Sequence, residues 1–373
     1  MSDDSTPSLR SVPIDTWIEV VYPAERGLIG LRGDIEPFSW DHTEPPVRID
    51  GDSHLFRIPM MAPGELAELK VVRGDDEWAN GRNYIVHPGD HVRIEPYFDR
   101  EMPRLEEGIV VESKDSERPS LTIDVLLPPG YDEQSNKRYP VAYALDGQSL
   151  WTHSSDPFGV WSLDATLASL FEVGAVDEII IVGIHTSEER IARLSPVADP
   201  EYGGGRGPET LAAIIEDVKP YIESNYRVRE GRENTAILGS SMGGLFAFFA
   251  AWTRPDIFGK AACLSSSFWW NKRWAVRLVQ NADAPKLRAN FYIDSGAAPN
   301  RMDHEARLRD GYHHTRSMYR ALSGAGLELG SQVHRLVFPG HVHNADSWAS
   351  RIALPLQLLF PVMPQTVDPS LIG

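Results

Sequence analysis

One cysteine, Cys263, is all that 373 residues contain, so no internal disulfide can staple the chain. It lies in Lys260-Ala-Ala-Cys263-Leu-Ser and reads as a buried strand residue, not as a nucleophile. No run of about 18 apolar residues is present. The first residues, Met1-Ser-Asp-Asp-Ser-Thr-Pro7, are polar and acidic, without a basic start and an apolar stretch behind it. Neither a secretory leader nor a membrane span is therefore expected, and the chain reads as cytoplasmic. Positive charge is also short: 36 Lys and Arg face 53 Asp and Glu, a net charge of −17. That balance argues against nucleic acid or an anionic membrane as partner and is read as solubility. Internal repeats are missing, and residues 1–11 form the one biased segment, a disordered tail. Apolar residues are not missing. They make up 42% of the chain, with ten Trp and thirteen Phe, and the length predicts two domains.

From residue 12 to 99, short alternating runs are separated by Gly, Pro, Asp and Asn. Strands are predicted at 16–22, 27–32, 55–58, 65–72 and 91–94, and this spacing indicates a small antiparallel β-sandwich. The charged, turn-rich segment 99–108 marks the boundary. From 108 to 373 the pattern changes to α/β. A leading hairpin (108–113 and 120–127) precedes strands at 139–145, 178–184, 235–239, 259–265, 289–294 and 333–338. Helices are expected between them, at 209–226, 305–323 and 346–360 among others, with Pro220 distorting the first of these three. Alternation of this kind gives a mostly parallel sheet with helices on both faces.

The chemistry centres on Gly239-Ser240-Ser241-Met242-Gly243, which follows an apolar strand and opens an apolar helix. In this G-x-S-x-G setting a sharp turn exposes the hydroxyl of Ser241, and the small flanking residues keep strand and helix from colliding. The helix N-terminus beside it favours a developing oxyanion. Acyl transfer then needs a base, a carboxylate to orient it, and donors for the oxyanion. In the order expected for such a fold, the base lies in a late loop. The segment 338–348 offers His341 and His343.

Arg138-Tyr-Pro140, Leu145-Asp-Gly-Gln148, Gly239-Ser-Ser-Met-Gly-Gly244, Phe268-Trp-Trp270 with Lys272, and His343-Asn-x-x-x-Trp348-x-x-Arg351 resemble the esterase D/enterochelin-esterase-like branch of the α/β-hydrolases. The resemblance runs from about 118 to 360. It implies an α/β-hydrolase fold, esterase activity, Ser241 as nucleophile, His343 as base with His341 as runner-up, and the N–H groups of Met242 and Gln148 as oxyanion donors. Neither cofactor nor metal is required by that chemistry. The acid belongs after the strand ending near Gly296. Where related sequences place a Glu, this chain reads Ala297-Ala-Pro-Asn300. Asp303 is the expected acid, with Asp294, Glu305 or a Ser-His dyad as alternatives. Asp146, Arg190, Trp269 and Trp270 are candidate substrate-binding residues, with an ion pair for Arg190 and core packing for the tryptophans as the competing readings. His304, His313 and His314 lack a completing ligand set for metal. The segment 203–207, Gly-rich but without a preceding strand, reads as a loop.

The N-terminal segment resembles the starch-binding type of carbohydrate-binding sandwich through Leu31-Arg-Gly-Asp34, Phe38-Ser-Trp40, Glu68-Leu-Lys-Val-Val72, Trp78-Ala-Asn-Gly-Arg-Asn83 and Pro96-Tyr-Phe98. Trp40 and Trp78 then occupy sugar-stacking positions, or else pack inside the sandwich. Siderophore esterases of the hydrolase branch also carry an N-terminal sandwich. The expected function is a serine carboxylic-ester hydrolase acting on a small siderophore, aryl or sugar ester. An acyltransferase of the same fold, as in the related mycolyltransferases, and a carbohydrate-binding protein with an inactive hydrolase domain are the rivals. Oligomeric state is not legible.

Overall fold

The computed structural model describes residues 13–99, 102–116, 118–186, 189–282, 287–297, 310–362 and 365–366. The first unit contains β1 (Ile14–Val21), β2 (Ile29–Gly33), β3 (Arg48–Asp50), β4 (Ser53–Met61), β5 (Ala67–Arg73), β6 (Glu77–Trp78), β7 (Tyr84–Val86) and β8 (His91–Ile94). Alternation puts Ile18 and Val20 of β1 and Leu69 and Val71 of β5 on inner faces, where they share one core with Phe38, Phe56 and Ile94. One sheet runs β8-β1-β4-β3 and the other β2-β5-β6, with β7 also on β5. Pairing is antiparallel except between β1 and β8, which run parallel.

The second unit begins with the hairpin β9 (Arg104–Val111) and β10 (Leu121–Leu127), followed by β11 (Val141–Leu145), α1 (Leu163–Glu172) and β12 (Ile180–Ile184). Next come α2 (Arg190–Leu194), the ribbon β13 (Ala198–Asp199) and β14 (Gly203–Gly204), α3 (Gly207–Ala213) and α4 (Lys219–Asn225). Then follow β15 (Thr235–Ser240), α5 (Met242–Thr253), β16 (Lys260–Leu264), α6 (Trp270–Asn281), β17 (Asn290–Ala297), α7 (Tyr312–Gly324), β18 (Val333–Pro339), α8 (Ala345–Ala349) and α9 (Ala353–Leu359). The sheet order is β18-β17-β16-β15-β11-β12-β10-β9. From β18 to β12 neighbours are parallel, and β10 and β9 add an antiparallel edge. Strands β11 and β12 are buried along their whole length, as a sheet covered on both faces demands. This is the α/β-hydrolase architecture.

Two helices depart from the sequence expectation for identifiable reasons. The helix at 209–226 is interrupted by a wider π turn at Ile214–Val218, just before Pro220. Proline supplies no N–H to the turn behind it, and the wider turn absorbs the mismatch. The closing helix is split into α8 and α9, because Pro355 is tolerated only in a first turn and the helix restarts at Ala353. A last described strand, β19 (Gln365–Thr366), pairs with β8, so these two residues return to the first unit's sheet.

The units are joined by a buried carboxylate. Glu133 accepts from the Tyr22 hydroxyl at 2.7 Å and from the N–H groups of Phe98 and Asp99, both at 3.0 Å. Gln134 donates to Val21 and Pro96 carbonyls, and Lys137 pairs with Glu178 nearby. Backbone groups of the sandwich are thus satisfied by side chains of the second unit. Among the described residues no helix is long and apolar enough to cross a membrane.

Candidate active site

Strand β15 ends at Ser240 and α5 begins at Met242, which leaves Ser241 at φ 56°, ψ −116°. A non-glycine residue reaches such a conformation only where its surroundings impose it. Here the Ser241 N–H donates to Leu264 O at 3.0 Å, and its carbonyl accepts from Ser267 at 2.9 Å and Leu245 at 3.1 Å. A Cβ on Gly239 would stand 2.7 Å from the Gly243 carbonyl carbon, and one on Gly244 would stand 2.3 Å from Ser266 Oγ. Close approach of strand and helix therefore requires glycine at both. Ten of the twelve residues of α5 are buried, so the core holds the turn from both sides.

The loop after β18 brings His343 back to the turn. Asn344 caps α8 by accepting from the Ser347 N–H at 3.0 Å, and Trp348 packs edge-on against the His343 ring at 5.1 Å. Nε2 of His343 lies 2.9 Å from Ser241 Oγ. Nδ1 lies 2.8 Å from Oδ1 of Asp310, immediately before Gly311 and α7.

Asp310 is 2% exposed. Burial works to raise its pKa, but hydrogen bonds from His343, Ser265 and the Gly296 N–H, with the charge of Arg351, outweigh it and hold the carboxyl below its ordinary value. An ionised Asp310 accepts only, so Nδ1 of His343 carries the proton and Nε2 is left to accept from the Ser241 hydroxyl. Hydroxyl, imidazole and carboxylate stand in a hydrogen-bonded series suited to drawing a proton off the serine as it attacks a carbonyl.

The other expected site residues fall into three groups. Asp303 and Glu305 lie outside the described residues, as does His304. Asp294 is not in contact with His343 but faces Arg351, whose Nε and Nη2 stand 2.9 and 3.0 Å from its two oxygens. Asp294 also accepts from the Tyr292 hydroxyl at 2.9 Å and the Ser265 N–H at 2.9 Å. Strand β17 turns this side chain behind the imidazole's carboxylate partner. His341 contacts Arg351 and the Phe338 ring rather than Ser241. Asp310 was missed because it sits thirteen residues beyond the end of β17 and belongs to no motif; the one signal was its place directly before a glycine and a helix.

Met242 supplies the first N–H of α5, which has no acceptor within the helix. Gln148 lies in the short 3-10 turn Gly147–Ser149 after Asp146, itself in the left-handed region at φ 62°. That turn is locked: Gln148 and Thr186 bond reciprocally at 3.2 and 3.1 Å, and Asp146 accepts from the Thr186 hydroxyl at 2.5 Å. Arg190 grips Asp146 through Nε and Nη2, each at 2.6 Å. Asp146 and Arg190 thus satisfy one another and hold the loop; the ion pair is the observed state of Arg190. Trp270 is 1% exposed and donates to Val197 O at 2.7 Å, a core residue and not a pocket wall. Trp269 is 40% exposed and meets Tyr202 edge-on at 5.8 Å, two residues beyond Ser267.

The Esterase family model matches residues 116–353, most of the second unit and well over half of the chain. The chain belongs to the Esterase family. Like the family, it is a carboxylic-ester hydrolase. The uncharacterized protein YbbA of Bacillus subtilis is 25% identical over 237 residues, covering 60% of this esterase and 89% of YbbA. The ferri-bacillibactin esterase BesA of the same organism is 26% identical over 236 residues, 57% of this chain and 78% of BesA. In three dimensions the chain is similar to a ferulic acid esterase (TM-score 0.53, 20% identity, 70% of this chain and 100% of that one). It is also similar to the enterobactin and salmochelin hydrolase IroE (TM-score 0.51, 17% identity, 69% and 95%). Both likenesses are of fold. This esterase carries its sandwich, residues 13–99, ahead of the matched region.

Proposed function

We propose that this esterase works through an acyl-enzyme on Ser241, with His343 as general base and then general acid, and Asp310 as the orienting carboxylate. The observation that carries the reading is the series Ser241 Oγ–His343 Nε2 at 2.9 Å and His343 Nδ1–Asp310 Oδ1 at 2.8 Å. Attack of Oγ on the ester carbonyl forms a tetrahedral oxyanion, and the N–H groups of Met242 and Gln148 are the donors for it. His343 then passes its proton to the leaving alcohol, and water, activated in the same way, releases the acid. Asp310 takes the role assigned from sequence to Asp303. The exposed Trp269–Tyr202 pair near the nucleophile supports an aryl-bearing small ester, and relatives named for siderophore and ferulic acid esters agree with that class.

Hydrolysis of a p-nitrophenyl acyl series by wild type, Ser241→Ala and His343→Ala tests it. Turnover that both substitutions abolish supports the acyl-enzyme; a folded wild type without turnover, and without labelling of Ser241 by a fluorophosphonate, sinks it. A second reading has its own observation. Trp40 and Trp78 are 36% and 41% exposed, with ring centroids 6.3 Å apart and Arg32 over Trp78 at 5.0 Å. Such an aromatic pair suits a sugar ring, so the sandwich is proposed to hold carbohydrate. Calorimetric titration with soluble glucan should show heat that Trp40→Ala and Trp78→Ala remove; equal binding by both variants would rule it out.

A further inference from the structure

We propose that Arg351 is a positioning residue that sets the orientation and charge of Asp310 through Ser265, with Asp294 as its anchor. The inference rests on the acyl-enzyme reading above. Asp310 is carried by the loop leading into α7, not by a strand end, so its rotamer must be held by side-chain contacts. Oδ1 meets His343; Oδ2 accepts from Ser265 Oγ at 2.7 Å and from the Gly296 N–H, with Arg351 Nη2 at 3.4 Å.

Arg351 is 1% exposed, and Asp294 and Asp310 are 0% and 2% exposed. Two buried carboxylates share this one guanidinium. Burial pushes the Asp294 carboxyl above its ordinary value against the pull of Arg351, the Ser265 N–H and the Tyr292 hydroxyl; with both carboxylates ionised the trio carries one net negative charge before His343 is counted. The fork of the guanidinium is divided between them. Its Nε and Nη2 lie against both oxygens of Asp294, and Nη2 also donates to Ser265 Oγ. A guanidinium has no acceptor. Ser265 must therefore turn a lone pair toward Arg351 and aim its single proton at Asp310. The arginine fixes the direction of the serine hydroxyl, the hydroxyl fixes Oδ2, and Oδ1 is left for the imidazole. An ammonium could match the charge but not the fork.

The other titratable groups around this cluster are few. Tyr292 donates to Asp294, Cys263 lies behind it on β16, and His341 Nδ1 is 3.5 Å from Arg351 Nη1. The acid limb of kcat/KM reports the protonation of the free enzyme's base, His343. Removing Asp294's charge makes the surroundings of His343 less negative, disfavours the imidazolium and moves the limb to lower pH. Removing Arg351 makes them more negative and moves the limb to higher pH. Protonation of Asp294 in response offsets only part of that, because Arg351 stands directly against Asp310, at 3.4 Å, while no bond joins Asp294 to it.

The experiment is kcat, KM and the pH dependence of kcat/KM for p-nitrophenyl acetate with wild type, Arg351→Gln, Arg351→Lys and Asp294→Asn, each checked for folding by circular dichroism. Arg351→Gln should lower kcat by about 10- to 100-fold with little change in KM, raise the acid limb, and be partly restored in Arg351→Lys. Asp294→Asn should lower the limb. Limbs that move together, or a folded Arg351→Gln with wild-type kcat and limb, would overturn the proposal. Should Arg351→Gln not fold, an unmoved or raised limb in Asp294→Asn overturns it equally. Failure of the underlying reading looks different: the wild type itself then gives no turnover and no Ser241 labelling.

Discussion

The Ser241 turn and the His343–Asp310 corner of this esterase are built on opposite principles. Ser241 is held by a contiguous segment, β15 running into α5, whose strained backbone is stabilised by bonds to Leu264 and Ser267 and by close-packed glycines. The corner is assembled from β16, the end of β17, the residue before α7, and the loop and turn after β18, and is held by ion pairs among Arg351, Asp294 and Asp310. Backbone hydrogen bonds and close packing hold the first in a strained conformation; charge complementarity holds the second. A site that must hold a reactive hydroxyl at a fixed angle benefits from covalent continuity. A carboxylate that must stay ionised while buried needs partners that only distant segments can supply.

The sharpest way to break the comparison is at the proposed nucleophile and base. Ser241→Ala and His343→Ala should each cost up to about 10⁶-fold in kcat, since groups that act as a unit fail as a unit, and p-nitrophenyl ester turnover reads this directly. Within the corner, Asp310→Asn should cost about 10⁴-fold, because the amide no longer selects the Nδ1–H tautomer. Asp294→Asn should cost less than about tenfold, because it touches neither the imidazole nor the substrate. The reverse order in a steady-state assay would move the acid to Asp294.

At the turn, Gly239→Ala introduces a Cβ 2.7 Å from the Gly243 carbonyl carbon. A loss of about 1–3 kcal/mol is expected in urea unfolding, with activity falling as the elbow shifts. The smallest effect is on acid stability. The carboxyl of Asp310 is held below its ordinary value of 3.8, so it contributes stability above that pH and loses it as the pH falls through the lower folded value. Asp310→Asn should therefore lose less stability than wild type as the pH falls below 3.8, measured by urea midpoints across an acid series.

Much of this was legible in the sequence, and what was legible was local. The G-x-S-x-G turn has its strand before it and its helix after it, and Gly239 sits at a backbone contact that admits no side chain. His343 was singled out over His341 by the resemblance of His343-Asn-x-x-x-Trp348-x-x-Arg351 to the family motif, and the structure shows a local reason for that spacing: Asn344 caps the helix that follows and Trp348 packs on the ring. Strands β11 and β12 announce themselves as unbroken apolar runs. The carboxylate was not legible. Asp294 lies on β17 and Asp310 thirteen residues beyond its end, and what separates the two aspartates is which one meets Arg351's fork and which one meets the imidazole. The same holds for Trp269 and Trp270, neighbours of one residue type, of which the first is exposed and the second buried on a carbonyl of the β13 approach.

Period, turn chemistry and the order of motifs thus determined the α/β sheet, the elbow and the histidine loop, because each depends on residues within a few positions of one another. Tertiary structure alone decided that Asp310 faces His343, that Arg190 is held by Asp146, and that Glu133 knits the sandwich to the hydrolase unit. Those are pairings of buried charges and hydrogen-bonding groups. Their energies depend on burial and on distances of a few ångströms between segments far apart in the chain, which one-dimensional spacing does not encode.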